Sequence, residues 1–439
     1  MARPDDDRLG AGDVVNSVTD RRERRKRWFY VLPAVFVTFS LAYLDRANYG
    51  LGAAAGLAET LHITGSQSAL LGSLFFLGYF AFQVPGINYA RRHSGTLIVF
   101  AALILWGTLA ALTGVIRQFW LLAADRFLLG VAESIIFPAM LVLITRWFLR
   151  RERARANTLL MLGNPVTVLW MSVITGYLIA AFGWQKTFII EGLPSVLWAF
   201  VWLLVIRDKP SDAPWMAADS SATLEQELAQ EQVALPRVGN LREAFGRRDV
   251  LALSAVYFSW SLGVYGFVLW LPTIIRKGIS IGIEKTGLLA AVPYLLAAIL
   301  MFLVSYVSDR TMLRRALVWP CLTIAGAALF TSFLVEDRSF WMTYSALILA
   351  GGVMYAPYGS FFAFISDIIP KTVLDEVLAL VNSSGALGGF VGTWIVGVLQ
   401  ARTGRSAAGF LLMSGSLLVA AMLVLLIPTV PVHKTTRTI

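Results

Sequence analysis

The chain has 439 residues, 57% hydrophobic and only 15% charged, with a mean hydropathy of +0.69 and a formal net charge of +10. A soluble domain carries nearer a quarter charged residues, so the composition excludes an ordinary soluble fold and points to a polytopic helical membrane protein. One cysteine, Cys321, excludes an intramolecular disulfide, and three histidines, His62, His93 and His433, flank apolar runs or lie in the tail, which argues against a histidine-ligated metal centre.

In chain order, residues 1–27 are polar and close on Arg21-Arg22-Glu23-Arg24-Arg25-Lys26-Arg27. This predicts an unstructured cytoplasmic arm with a basic stop at the membrane surface, and no cleavable signal peptide precedes it. Apolar runs follow at 28–50, 68–90, 96–116, 119–145, 156–182 and 186–206, and again at 249–276, 284–307, 315–335, 340–366, 374–401 and 407–429. Each is about the length that a bilayer core of roughly 30 Å requires of a helix. Basic turns at Arg91-Arg92, at Arg146 to Arg155 and at Arg310 to Arg315 fall on the side of the N-terminus, while the opposite loops carry fewer cations. The positive-inside rule then puts both ends in the cytoplasm, and the basic surplus is explained without a nucleic-acid partner.

Residues 207–248 form the one long hydrophilic connection, punctuated by Pro210, Pro214 and Pro236, with a short surface helix expected near Leu224-Leu228. It divides the chain into 28–206 and 249–429, with a tail at 430–439. A weak echo between the turn after the second run (Gly86 to Arg92) and that after the eighth (Val307 to Arg315) suggests duplication. The expected fold is therefore all-α, twelve transmembrane helices in two pseudo-symmetric six-helix bundles, which is the major facilitator architecture.

The chemistry-bearing residues are charges inside these runs. Asp45 and Arg46 lie in Tyr43-Leu44-Asp45-Arg46-Ala47-Asn48-Tyr49, roughly 25 Å along a helix started at Trp28. Charge at that depth costs about 3 to 10 kcal/mol, so either the pair faces a hydrated cavity or the helix ends early and the pair is interfacial. In the fourth run, Arg126 and Glu133 are seven residues apart and share a helix face, where they either serve a cavity or neutralise one another. An arginine fork suits a substrate carboxylate, and an acid shielded from water takes up protons more readily, so the set is equipped for proton-driven uptake of an organic anion.

Less specific are Asn164 after Gly163, Asn382 at the head of a small-residue face through Gly392, and the aromatics Tyr79, Tyr257, Trp260, Tyr265, Tyr355 and Tyr358, for which packing is the ordinary role. Glu191 and Asp367 lie near run ends and are read as interfacial. Asp309, Arg310 and Arg314 are read as gating or topology elements.

The quoted residues carry a resemblance covering Trp28 to about Pro428. Leu44-Asp45-Arg46-Ala47-Asn48, Arg126 through Glu133 and Ser308-Asp309-Arg310 resemble the anion:cation symporter family of the major facilitator superfamily. Ser40 to Gly50, Gly163-Asn164-Pro165-Val166-Thr167, Tyr265 to Pro272 and Met354 to Gly359 are similar to bacterial 2-ketogluconate transporters. Asn88 departs from the superfamily pattern, which has an aspartate there. The resemblance implies Asp45 and Glu133 as protonation sites and Arg46 and Arg126 as carboxylate binders. It implies Tyr79, Asn164 and Asn382, with Tyr355 and Ser360, as further substrate contacts.

The expected function is secondary active symport of a proton with a sugar-acid monoanion, 2-keto-D-gluconate foremost, by alternating access in a bacterial inner membrane. The alternatives are an organic-anion exchanger on the same fold, or a symporter of galactonate, glucuronate or an aromatic acid. Neither enzymatic activity, cofactor nor metal is expected. The partners are the substrate, protons and lipid, with the chain acting as a monomer.

Overall fold

The computed structural model describes residues 11–233, 246–369 and 373–427, all of their regular structure helical. The first half contributes α1 (Ala11–Ala54), α2 (Leu57–Thr60), α3 (Gly65–Arg92), α4 (Gly95–Thr113), α5 (Phe119–Ser134), α6 (Ile136–Trp147) and α7 (Arg150–Val205). After α8 (Ala218–Val233) come α9 (Arg248–Ile279), α10 (Ile283–Thr311), α11 (Arg314–Val335), α12 (Phe340–Tyr355), α13 (Tyr358–Ile368), α14 (Leu374–Thr403) and α15 (Ala407–Leu426). Among the described residues, 11 helical stretches are long and apolar enough to cross a membrane. Their outward faces fit lipid: Leu97, Leu204, Phe302 and Leu426 are between 60% and 75% exposed. Trp120 and Trp341 open α5 and the α12 stretch at one and the same end, where the aromatic belt of a bilayer interface would lie.

Local chemistry sets the element ends. Thr64 and Gln67 form a capping box that starts α3, the Gln67 amide donating to the Thr64 hydroxyl at 3.2 Å and the Thr64 amide to the Gln67 side chain at 2.8 Å. Ser94 caps α4 by accepting from the Leu97 amide at 3.2 Å. The spans at Phe119–Trp147 and Phe340–Ile368 each break once, between α5 and α6 at Ile135 just before Pro138, and between α12 and α13 at Ala356-Pro357. Proline at these points removes a backbone donor and crowds the preceding turn.

The 56-residue α7 is interrupted at Gly183, whose φ of 79° and ψ of 162° belong to glycine alone. Gly183→Ala is expected to destabilise the protein by about 1–3 kcal/mol, read as a lowered unfolding temperature in detergent.

The basic stretch does not stand apart as a loose arm: α1 begins at Ala11, and Arg27 is buried, donating to the Trp147 carbonyl at 2.8 Å and to Glu152 at 2.9 Å. The first part of the central connection is also docked. Trp215 stacks on Tyr30 and Trp147 at 4.8 and 5.1 Å, Lys26 donates to the Trp215 carbonyl at 3.3 Å, and Leu224 and Leu228 of α8 pack on Leu149. Residues 1–10, 234–245 and 428–439 lie outside the described residues, as do the side chains of Asn88, Arg91 and Arg92.

The halves on either side of this connection meet chiefly where α1 packs on α9, α3 on α14 and α7 on α10. At the end opposite the basic stretch they close to backbone contact. A Cβ on Gly50 would lie 2.6 Å from the Leu269 carbonyl oxygen, and one on Gly287 would lie 2.2 Å from that of Ser172. The Arg276 guanidinium, beside them, donates to the Ala54 carbonyl. At the basic end a cleft of about 370 Å³ opens between α6, α7, α10 and α13. Gly287→Ala should therefore prevent closure at the sealed end. In a Cys321→Ser background, Leu51→Cys, at a position 1% exposed, is expected to react several-fold faster with an impermeant maleimide once Gly287 is replaced.

Candidate functional site

Asp45 and Arg46 do not end a helix; α1 continues to Ala54 and both side chains are buried, at 1% and 8% exposure. Being consecutive, they point in directions about 100° apart on the helix. Arg46 turns toward α5, where its Nε donates to Glu133 Oε2 at 3.1 Å. The same guanidinium lies 4.5 Å from the centre of the Tyr79 ring and 5.4 Å from that of Phe75, both on α3. The cation–π support from α3 and the ion pair to α5 together hold the fork between two neighbouring helices.

Arg126 is 1% exposed and rests on the rings of Tyr49 (5.0 Å) and Phe75 (5.8 Å). Tyr49 is in turn fixed by its hydroxyl, which donates to the Ser68 carbonyl at 2.8 Å. Among the described residues no carboxylate lies within 4 Å of Arg126, and its Nε has no hydrogen-bond partner. The seven-residue spacing in α5 thus does not pair Arg126 with Glu133; Glu133 is taken by Arg46 of the neighbouring helix. Glu133 Oε1 and both carboxylate oxygens of Asp45 are without partners, although Asp45 feels the charges of Glu133, Glu191, Arg126 and Arg46. Unpaired charge at such burial is expensive, so these atoms await a proton, a cation or a ligand.

Beside Arg46 is a small cavity of about 20 Å³, lined by Phe76, Tyr79, Tyr257, Tyr265, Asn382, Gly385 and Ala386. It has room for about one water. The cluster is thus enclosed, with α1 and α3 on one side and α9 and α14 of the second half on the other. Among the sequence-derived contacts, Tyr79 and Asn382 meet here with Arg46. Tyr355 approaches from α12, its hydroxyl 3.4 Å from that of Tyr43, and stacks on Tyr358. Trp260 is committed to packing, its indole donating to the Met354 carbonyl at 3.0 Å.

Asn164 and Ser360 are not in this cavity. The Asn164 side-chain oxygen is buried without a partner on α7, and Ser360, also unpartnered, lines the cleft at the basic end with Asp309 and Arg314. There Arg314 sits 2.7 Å from Asp367, although its Nε–H is not aimed at the carboxylate, and 3.4 Å from Asp309. Arg310 points away, over the Tyr306 ring at 4.5 Å.

Glu191, read from the sequence as interfacial, lies instead inside the helix bundle. It is 5% exposed and accepts from the Asn48 amide at 3.1 Å and from the Thr175 hydroxyl. The available signal was Asn48, one turn beyond Asp45 on the same face of α1. Asp125, to which the sequence assigns no role, is also buried and accepts from Thr113 at 2.8 Å.

Residues 35–393 match the family model of the Major Facilitator Superfamily. A protein of Agrobacterium vitis named for tartrate transport is 30% identical over 94% of this chain and 93% of its own length. A quinolone resistance transporter of Acinetobacter baumannii is 29% identical over 92% of each chain, and a hexuronate transporter of Bacillus subtilis is 22% identical over 90% and 93%. In fold, the chain is similar to a bacterial homolog of the human lysosomal transporter Spinster, solved inward-facing and occupied, with a TM-score of 0.68, 18% identity and coverage of 91% and 94%. A buried ionic cluster between two sets of apolar helices, on a chain matched by that family model over most of its length, is that of a multi-pass membrane transporter, and the chain belongs to the Major Facilitator Superfamily.

Proposed function

We propose that the protein is a proton-coupled symporter of a sugar-acid monoanion, 2-keto-D-gluconate foremost, working by alternating access in a bacterial inner membrane. The observation that carries this reading is the Arg46–Glu133 pair, buried between the halves beside an arginine with no acidic partner and an aspartate with no donor. Glu133 and a substrate carboxylate compete for one guanidinium. Protonating Glu133 frees Arg46, so anion binding and proton binding favour each other, which is the coupling a symporter needs. Arg126 supplies the second carboxylate contact, Asp45 the second protonation site, and Tyr79, Asn382 and Tyr355 hydrogen bonds to substrate hydroxyls.

Counting α7 as two spans about Gly183 turns the eleven apolar stretches into twelve, six in residues 28–206 and six in 249–429. Both termini are then cytoplasmic, the cleft at the basic end faces the cytoplasm, and Asp309, Arg310 and Arg314 border its mouth as gate elements. The chain works as a monomer. The names of relatives that carry tartrate or hexuronate support a carboxylate as cargo.

The test is uptake into proteoliposomes of 2-keto-D-gluconate, D-gluconate, D-galactonate, D-glucuronate and tartrate under an imposed pH gradient. One of the sugar acids is expected to accumulate when the outside is acidic. Obligatory exchange that ignores pH would replace this reading with that of an anion exchanger.

A further inference from the structure

The proton-coupling reading accounts for Asp45 and Glu133 and leaves a third deeply buried carboxyl unexplained. Thr175 and Glu191 each lie eight residues from the break at Gly183, so the two arms of α7 fold back and set them side by side. Asn48 of α1 completes the group, three residues beyond Asp45 and therefore on its face. Thr175 and Asn48 both donate to Glu191, and no cation of the described residues lies within 4 Å of it. The Asn48 side-chain oxygen, on a residue 1% exposed, has no partner at all, although its amide nitrogen is already bonded to Glu191.

That vacant acceptor is what a protonated Glu191 requires. Turning the Asn48 amide over would present its oxygen, in place of its nitrogen, to a Glu191 O–H, and would free the nitrogen to donate elsewhere on the Asp45 side. Of the elements packed against α7, α4 carries no ionisable group, α6 carries Arg146 at the basic end, and α10 offers Glu284 and Lys285 at the sealed end. On α1 the facing charges are Asp45 and Arg46, and Asp45 senses Glu191.

We propose that Glu191, held by Thr175 and the reversible Asn48 amide, is a proton-binding site of its own that loads and unloads during the transport cycle. The step is a plain protonation: the carboxylate gains one proton from the aqueous side and later returns it, with Asn48 changing from donor to acceptor. This rests on the symport reading, and the experiment separates the two.

Infrared difference spectra of the purified full-length protein between acid and alkaline pH read protonated carboxyl groups without any substrate. Glu191→Gln is expected to remove one carboxylic C=O band, and Asn48→Leu, which lacks the amide and adds no carboxyl, to shift it. In proteoliposomes, with the sugar acid that the wild type accumulates, Glu191→Gln should displace the pH dependence of the initial uptake rate while the accumulation ratio stays that of one proton per anion. Unchanged infrared bands in a monodisperse Glu191→Gln protein would overturn the proposal and leave a polar knot between α1 and α7, with the symport reading intact. A lost band in a protein whose wild type exchanges anions regardless of pH would uphold the protonation site and sink the symport reading.

Discussion

Arg126→Ala is expected to reduce kcat/KM for anion uptake by roughly 30- to 1,000-fold, which corresponds to about 2–4 kcal/mol for deleting one partner of a buried, charge-assisted contact. The side chain is 1% exposed, aimed by the faces of Tyr49 and Phe75, and has no competing carboxylate within 4 Å. Its removal therefore takes away a pre-aimed anion contact and breaks no internal ion pair, so the protein should remain folded while transport fails. Arg126→Lys should recover only a small part of the loss, because an ammonium neither lies flat on two rings nor grips a carboxylate with two parallel bonds. The check is initial-rate uptake into proteoliposomes, with unfolding temperature as the control. Wild-type rates in the alanine variant would remove Arg126 from the binding site.

The second large effect is expected from Glu133→Gln. A monoanion carried with one proton moves no net charge, so a step of one pH unit should concentrate the substrate about tenfold in the wild type. In the glutamine variant the guanidinium of Arg46 loses its ionic partner at 3.1 Å and is permanently available to substrate. Accumulation should fall to equilibration, a ratio of about 1, while counterflow exchange of labelled substrate continues. Asp45→Asn should also abolish accumulation. Should both variants still concentrate substrate against its gradient, the coupling role of these acids is refuted.

Much of this architecture is legible in the chain because lipid imposes a simple rule: apolar runs of about 20 residues must be helices, and charges inside them need a reason. Asp45, Arg46, Arg126 and Glu133 stand out on that ground alone, and all four prove buried. Their pairing was not legible. The seven-residue spacing on α5 leaves open whether Arg126 and Glu133 serve a cavity or neutralise one another, whereas the rotation of α1 against α5, a matter of interhelical packing, gives Glu133 to Arg46. Glu191 escaped because a span boundary displaced by a few residues turns a membrane-depth acid into an interfacial one. The basic stretch was assigned to a loose arm because its polarity resembles that of a linker, although charge opposes neither helix formation nor the packing of Arg27 on Trp147 and Glu152. Ser360 carries no sequence signal of which cavity it lines, and Asn164 none of its burial away from the Arg46 cavity; only the helix break at Pro357 and the course of α7 decide that.

The small chamber beside Arg46 has two unlike walls. The first half brings the guanidinium with the rings of Phe76 and Tyr79, whereas the second half brings only neutral groups: Tyr257, Tyr265, Asn382 and the bare backbone of Gly385. Under the proposed coupling, the proton-binding acids Asp45 and Glu133 both stand in the first half, while both halves offer groups to the substrate. If that coupling holds, substitutions at Tyr257, Tyr265 or Asn382 should alter which anion fits while leaving the Arg46–Glu133 pair in place.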